Sequence, residues 1–403
     1  MPLNMNPMPV NLRQRHLLVA ALVILPVQVL AGNPADIRLG GMSLTPTLRL
    51  TEAYDDNFRE TAAPNEASSW ITTIEPAFEL AAEDRLNIYR LRYALESDIY
   101  HSSHGNDNTD HHLDANAHLE FSSRHRLDLN AGYDRVESAA DATSLAENDK
   151  YHTSNVGAVY GLGIESATMQ LELAVDQERK RYDNRGTLNQ DKDRDTRSLG
   201  ATAFYRLAPK TRALFEVSLT EFDYVRLRSV DSSTLRSLDS VNHSYFAGLA
   251  FDATAKTSGT LKIGHEKKDF DAPGERDPSL TAWHADLTWK PRTYSAFRLT
   301  ARHGINEGSN EEQFIENRTA GLAWSHKWSS FFSSDLGYVR SKMNYDNAAN
   351  REDITDSYRV GLTWDVRRWL SLELGYRYRE RDSNVALENF ERSLYSAGLK
   401  LSL

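Results

Sequence analysis

The chain has 403 residues, no cysteine and a formal net charge of -10. The lack of cysteine excludes a disulfide framework and a thiolate metal site, and an acidic chain without a basic tract is a poor nucleic-acid binder. Low mean hydropathy does not exclude a membrane protein, because a β-barrel shows lipid only alternate residues of each strand.

Residues 1–31 have the features of a secretory signal peptide. Arg13 and Arg15 precede the short apolar run LLVAALVILPVQVLA, which is followed by Gly32. We predict cleavage after Ala31, since the run is interrupted and too short to span a membrane. Its removal leaves 45 Lys and Arg against 57 Asp and Glu, a net charge of -12.

The segment RLNIYRLRYALESDIY, residues 85–100, carries the clearest structural signal. Apolar residues occupy every second position, at Tyr89, Leu91, Tyr93, Leu95 and Ile99, with charged residues between them. This is a strand period, and about ten alternating residues with an aromatic near each end suit a tilted transmembrane strand. A two-layer soluble sandwich also alternates, so one segment leaves both folds open.

Repetition favours the barrel. Similar segments recur from residue 44 to the end, about 18 strands in all (16–18). Tight turns are predicted at residues 83–84, 122–124, 163–165, 208–210, 255–257, 291–292, 327–329 and 367–368. Longer polar loops alternate with them, at about residues 55–68, 102–110, 137–150, 183–195, 226–239, 270–280, 304–313, 344–355 and 382–390.

This segregation of loop lengths predicts an all-β fold, a transmembrane antiparallel up-and-down β-barrel over residues 44–403. Short turns would face the periplasm together with both termini, and longer loops would be extracellular. Residues 32–43 would form a short periplasmic segment, too short for a plug. No loop exceeds about fourteen residues, so we expect none to fold back as a constriction.

A barrel of this size predicts an aqueous bore. The alternation assigns an acidic wall to Glu75, Glu79, Glu96, Asp98, Asp114, Glu120, Asp128, Glu172 and Asp176, with Arg90 and Arg92 as basic exceptions. It assigns a basic wall to Arg49, Arg298, Arg302, Arg359, Arg377, Arg379 and Lys400, with Glu373 among them. Such walls would set a transverse field across the pore. The alternative is that these charges only keep the interior wet and pair with neighbours.

Signals for chemistry are few. His101, His104, His111 and His112, with Asp107 and Asp110, cluster around one loop, but their spacing fits no compact metal motif and a solvated loop is the preferred interpretation. Neither G-x-S-x-G nor H-E-x-x-H occurs, and no catalytic triad can be nominated. The sequence therefore predicts no catalytic residues, metal or cofactor.

The motif Tyr54, Asp55, Asp56, Asn57 and Phe58, the strand with Pro76 after Glu75, and the Tyr-rich segment YRLRYALESDIY carry a family resemblance. Together they resemble the putative beta-barrel porins found with exopolysaccharide and capsule gene clusters, the EpsL-like outer-membrane proteins. The likeness covers about the first hundred residues. Asp55 and Asn57 are interpreted as turn formers, and Phe58 as part of the outer aromatic girdle. The terminal Leu403 departs from the usual aromatic end of such barrels.

The resemblance implies a passive conduit for a secreted exopolysaccharide or capsular polysaccharide, in the outer membrane of a Gram-negative bacterium. Outer-membrane lipid, lipopolysaccharide and a periplasmic export partner in trans are the implied partners. Inward-facing Phe204, Phe222, Tyr224 and Phe246 would offer sugar rings a stacking surface. Two alternatives stay open: a general or sugar-specific diffusion porin, and a barrel enzyme acting on lipid or polysaccharide.

Overall fold

A computed structural model describes residues 37–138, 148–164, 166–184, 189–229, 235–254, 256–308, 312–346 and 350–402. The predicted signal peptide and Leu403 lie outside these ranges. No helix within them has the length and apolar character needed to cross a membrane.

The described residues form 21 strands and three short 3-10 helices. The strands are β1 Ile37–Leu39, β2 Met42–Asp55, β3 Ser69–Asp84, β4 Asn87–Tyr100, β5 Asn108–Ser122, β6 His125–Ser138, β7 Asp149–Leu162, β8 Met169–Tyr182, β9 Arg194–Ala208, β10 Thr211–Tyr224, β11 Arg228–Ser229, β12 Leu235–Arg236, β13 Ser240–Thr254, β14 Thr257–Phe270, β15 Ser279–Arg292, β16 Ser295–Glu307, β17 Phe314–Lys327, β18 Phe332–Tyr345, β19 Glu352–Arg367, β20 Leu370–Ser383 and β21 Phe390–Ser402. The 3-10 helices are His104–Asn106, Gln190–Lys192 and Ala386–Glu388.

Eighteen long strands, β2 to β10 and β13 to β21, make one closed antiparallel barrel. Each pairs with the next along the chain, and β21 returns to β2 in a register from Thr47 opposite Ser402 to Asp55 opposite Leu394. Closure leaves none of the long strands with a free edge. The predicted up-and-down topology and strand number are confirmed.

Seven of the eight connections between long strands on one rim have two to four residues, and the eighth, after β7, has six. The predicted segregation of connection lengths therefore holds with one exception. Short turns lie on the rim that also holds the first and last described residues, here called the turn rim. The opposite rim, the loop rim, carries the longer connections, which follow β2, β4, β6, β8, β10, β14, β16, β18 and β20. Two predicted turns are displaced by two residues, because pairing continues to Asp84 opposite Asn87 and to Arg292 opposite Ser295.

The strand predicted to begin at residue 44 begins at Met42. It is preceded by β1, which folds back on it through Gly40 and Gly41. Gly40 has a φ of +66°, in the left-handed region that glycine tolerates best. Residues 37–43 therefore extend the wall as a small hairpin.

Outward-facing apolar residues are exposed in the predicted alternation, including Tyr89, Leu91 and Tyr93. Aromatic side chains form two bands on this outer surface. Near the turn rim are Phe121, Tyr205, Trp289, Tyr294, Trp328, Phe331, Trp364 and Trp369, and towards the loop rim are Trp70, Tyr93, Tyr133, Tyr245, Tyr358 and Tyr395. Two such girdles are typical of a barrel that crosses a bilayer.

The outer surface changes character beyond the second aromatic band. There, on the loop side, outward-facing ion pairs appear, such as Arg197 with Asp223 at 2.8 Å and Arg340 with Asp356 at 3.1 Å. Tyr378 on β20 lies opposite Tyr358 of the second aromatic band. The distance from Trp369 of the first band to Tyr378 is about 30 Å along the strand, or about 23 Å along the barrel axis at a tilt of about 40°. This is close to the apolar height of an outer-membrane barrel, so the strands extend beyond the bilayer at the loop rim.

Candidate pore and its mouth

A cavity inside the barrel is lined by side chains of seven neighbouring strands, β8 to β10 and β13 to β16. Three predicted pore residues, Glu172, Asp176 and Arg302, line it. The lining also contains hydroxyl and amide side chains, namely Thr196, Ser198, Thr202, Ser218, Thr220, Asn242 and Ser244. Such a surface can hydrogen-bond water and polar solutes.

The predicted charges along the β2 seam lie in one row. Arg49 is opposite Lys400 on β21 and Glu75 on β3. Its guanidinium contacts Glu75 at 3.3 Å and Glu373 at 3.1 Å. The carboxylates of Glu75 and Glu373 therefore offset the two adjacent positive charges, those of Arg49 and Lys400.

Other predicted pore charges also have close neighbours. Arg92 lies opposite Glu79 on one side and Asp114 on the other, whereas Arg90 lies opposite Ala81, and Glu96 opposite Asp110. Direct contacts join Asp98 to Thr73 at 2.5 Å, Asp128 to His118 at 2.5 Å, Glu120 to His118 at 3.4 Å, Glu172 to Arg126 at 2.6 Å, Arg298 to Asp286 at 2.6 Å and Arg359 to Asp335 at 2.8 Å. Local pairing is thus widespread, and the transverse field stays a prediction.

The loop of residues 56–68, here called the first loop, is held to the strands by the family motif. Asp55 is fully buried and accepts hydrogen bonds from Arg392 at 2.9 Å and 2.6 Å and from the Asn57 backbone N–H at 3.1 Å. Asn57 donates through its side chain to the carbonyls of Thr61 and Glu391, both at 2.9 Å. Asp55 and Asn57 are therefore turn formers, as predicted, and also join the two ends of the chain.

The remaining motif residues have structural positions. Asp56 accepts a hydrogen bond from the Ser393 backbone N–H at 2.6 Å, which extends the β2–β21 contact. Tyr54 packs its ring against Trp70 at 5.4 Å. Pro76 is opposite Leu48 on β2, but the regular register with β4 is interrupted there. Proline has no N–H to donate to a neighbouring strand.

The first loop enters the mouth of the barrel, contrary to one of our expectations. Phe58 does not join the outer girdle: it is 6% exposed and packs against Ile71 and Tyr100, whose side chains face inward. Its ring lies 5.0 Å from that of Tyr100. Thirteen residues anchored at both ends suffice for this loop to reach inside the mouth. The expectation that no loop forms a constriction in the bore stays a prediction.

Glu60, in the first loop, contacts three arginines of β20 and β21. Its carboxylate pairs with Arg379, with Arg392 at 2.9 Å and with Arg381 at 3.5 Å. Glu60 has a φ of +53°, a left-handed conformation that non-glycine residues rarely adopt. Surrounding contacts hold a backbone of this kind in place.

Two more carboxylates complete this group of charges. Arg351 contacts Asp353 at 2.6 Å and Glu388 at 2.8 Å, and Arg381 contacts the same two residues at 3.8 Å and 3.4 Å. Burial alone would lower the pKa of Arg351, but its hydrogen bond to Asp353 and nearby negative charge leave that pKa raised. The guanidinium therefore stays charged.

A second inward segment lies across the mouth. β16 pairs with β15 only as far as His303 opposite Trp283, although its pairing with β17 continues to Glu307 opposite Phe314. Past that point β16 leans over the inner face of β14, where the Ile305 N–H donates to Glu266 at 2.9 Å. We call residues 303–308 and 312–315 the hairpin tip.

Buried polar contacts hold the hairpin tip in place. Glu307 pairs with Lys268, both almost fully buried, and accepts a hydrogen bond from the Tyr224 hydroxyl at 2.8 Å. Arg228 donates to the carbonyl of Glu312 at 2.9 Å. Together with the first loop, the hairpin tip narrows the loop-rim mouth.

The predicted sugar-stacking surface is only partly available. Phe222 and Tyr224 are buried and form a cluster with Leu238 of the 225–239 loop, so the expectation that they offer a free surface is wrong, although Phe222 borders the cavity. Phe246 does line the cavity, where Lys262 lies 5.0 Å from its ring centre. Arg212 lies 5.3 Å from that of Phe204.

The histidines around residues 101–112 contact separate partners. His101 approaches Glu52 at 3.8 Å, His104 contacts Asp107 at 3.2 Å, His111 contacts Tyr93 at 2.8 Å and His112 contacts Asp134 at 2.7 Å. Within the described ranges, no three His, Asp or Glu side chains converge as metal ligands would.

A closed eighteen-stranded antiparallel barrel with two aromatic girdles and a polar interior is a porin-like outer-membrane fold. A family model described as "Putative beta-barrel porin 2" matches residues 31–403. The chain belongs to this family.

Known structures resembling the chain include three outer-membrane receptors or transporters. The FrpB iron transporter of Neisseria meningitidis (F3-3 variant) is 11% identical, with a TM-score of 0.45, over 84% of this chain and 62% of that one. The siderophore receptor PirA of Pseudomonas aeruginosa is 10% identical, with a TM-score of 0.44, over 92% and 81%. The ferric enterobactin receptor PfeA in complex with BCV-L6 is 8% identical, with a TM-score of 0.48, over 89% and 81%. The chain thus spans less than two thirds of the length of FrpB. No curated protein sequence matches it.

Proposed function

We propose that the protein is a passive outer-membrane conduit through which a secreted polysaccharide leaves the cell. The observation that carries this proposal is the internal cavity with its hydroxyl, amide and charged lining, within a barrel of the porin family. Hydroxyl-rich chains bind to such a lining at little cost in free energy, because each hydrogen bond to the wall replaces a hydrogen bond to water. The family's porin character favours transport over catalysis.

The conduit would work with partners that the chain itself does not supply. A polymerase or transporter in the inner membrane and a periplasmic export partner in trans would deliver the polymer to the turn rim. Lipopolysaccharide and outer-membrane lipid would surround the girdles. The polymer would then leave through the loop rim, where the first loop and the hairpin tip must move aside.

A solute-specific diffusion porin is the second candidate, and the narrowed mouth favours it. Segments that fold into a bore set an upper size for solutes, whereas a polymer exit needs a continuous passage. Since the contacts of Glu60 and Glu307 hold both segments, the two candidates differ in whether these contacts open.

The experiment is release of labelled neutral glucans of increasing length from liposomes that contain the refolded protein. For a conduit we expect release to continue for chains much longer than the bore, at a rate that falls gradually with length. Glu307→Gln, which weakens the hold on the hairpin tip, should speed release of the long chains. Empty liposomes control for leakage. A sharp size limit of a few sugar rings, unchanged in Glu307→Gln, would replace the conduit with the diffusion porin.

A further inference from the structure

The inner wall of β19 to β21 near the mouth carries two pairs of arginines, and the two members of each pair lie directly opposite each other on neighbouring strands. Arg359 on β19 lies opposite Arg377 on β20. One step towards the loop rim, Arg379 on β20 lies opposite Arg392 on β21. Like charges directly opposite on neighbouring strands destabilise a sheet unless anions lie between them.

Three of these four arginines have counterions. Arg359 contacts Asp335 at 2.8 Å, Arg392 is held by Asp55, and both Arg379 and Arg392 contact Glu60. Arg377 differs: among the described residues its guanidinium has no hydrogen-bond or ion-pair partner. Arg377 lies directly opposite Arg359 on β19 and Leu394 on β21, and the electrostatic effect of Arg359, Arg392 and Arg379 on it exceeds that of Asp55.

A count of charges at the mouth also leaves one arginine without a counterion. At the mouth, the arginines 351, 377, 379, 381 and 392 face four carboxylates, those of Asp55, Glu60, Asp353 and Glu388. The surplus positive charge lies at Arg377, which is exposed, whereas Arg379 and Arg381 are half-buried. A planar guanidinium in this position suits a carboxylate, which it can bind through two parallel hydrogen bonds.

Glu60 shows how a carboxylate is bound here. It reaches the arginines from a loop rather than from the wall, and its backbone is in a left-handed conformation. Its side chain keeps 16% exposure, so solvent reaches it. A contact that comes from a short loop with a strained backbone can be exchanged for an external ligand of the same chemistry.

We propose that Arg377, Arg379 and Arg392 form a binding site for the carboxylate groups of acidic sugars, such as uronates. Glu60 is the built-in carboxylate that the acidic polymer displaces. This deepens the proposed function and rests on it, since it names an acidic glycan as the polymer. Displacement of Glu60 would also release the first loop from the mouth.

The test is block of single-channel current in a planar bilayer by oligogalacturonate and by a neutral glucan of equal length. We expect the acidic chain to block at a concentration about tenfold lower, the effect of one charge-assisted contact. Arg377→Gln should bring the two concentrations together. Glu60→Gln should lower the blocking concentration of oligogalacturonate further, because Arg379 and Arg392 become available.

Arg126→Gln is the matched control. It removes an inner-wall arginine on β6, away from this site, and should keep the acidic preference. Heat-dependent gel mobility shows that each variant is folded. Equal block by both chains, or a preference unchanged in Arg377→Gln, would overturn the carboxylate site and leave the conduit standing. If free galacturonate reduces the wild-type current through Arg377 but neither chain blocks, the site stands and the conduit fails.

Discussion

Replacing Asp55 with alanine is expected to lower the free energy of unfolding by about 3 kcal/mol, the cost of breaking a buried ion pair by removing one partner. Asp55 has no solvent exposure and holds both the Arg392 guanidinium and the Asn57 backbone N–H. Alanine would leave Arg392 with Glu60 alone and the start of the first loop without its anchor.

Urea unfolding of the protein in detergent micelles or vesicles, followed by gel mobility, measures this change. Glu66→Ala is the matched control, because Glu66 is an exposed acidic residue of the same loop. Its substitution should change stability by less than about 0.5 kcal/mol. Equal stability of the Asp55 and Glu66 variants would show that the motif does not anchor the loop.

Leu173→Arg should destabilise the barrel in lipid by about 2–4 kcal/mol, the cost of a lipid-facing charge near the bilayer midplane. Leu173 is exposed on the outer face of β8, between the turn rim and the outward-facing Arg179. The adjacent Ala174 lines the inner cavity. There an arginine would meet the carboxylates of Glu172 and Asp176.

Ala174→Arg is therefore expected to fold almost as well as the wild type, although it adds the same side chain one position along. The measurement is the yield and urea midpoint of folding into phospholipid vesicles for both variants. If Ala174→Arg were the more destabilising variant, the assignment of the inner and outer faces of β8 would have to be reversed. This reversal would remove the basis for every pore residue named here.

The strands were predictable because their signal is local and repeated. In a strand such as β4, each residue faces lipid or water according to its parity, so a period of two in the sequence fixes both the element and its faces. The turns at residues 83–84 and 291–292 were less well placed, since polar residues there still pair across the strands. Local sequence marks the positions at which a strand can end, but pairing with the neighbouring strand decides where it does end.

The mouth was not predictable in the same way. Glu60 contacts Arg379 and Arg392 across more than 300 positions, so nothing near residue 60 indicates its partners. Arg379 was assigned to the wall from its parity, and the same rule extends to Arg381 and Arg392. The hairpin tip is a comparable case: its departure from β15 depends on Lys268 and Tyr224, which belong to distant strands.

The most direct test of an outer-membrane conduit is the single-channel conductance of the refolded protein in a planar bilayer. We expect discrete, ohmic current steps that neutral oligosaccharides reduce reversibly, and larger steps in Glu307→Gln, where the hold on the hairpin tip is weaker. Absence of current steps from protein that gel mobility shows to be folded would mean that the bore is closed. That result would contradict a passive conduit.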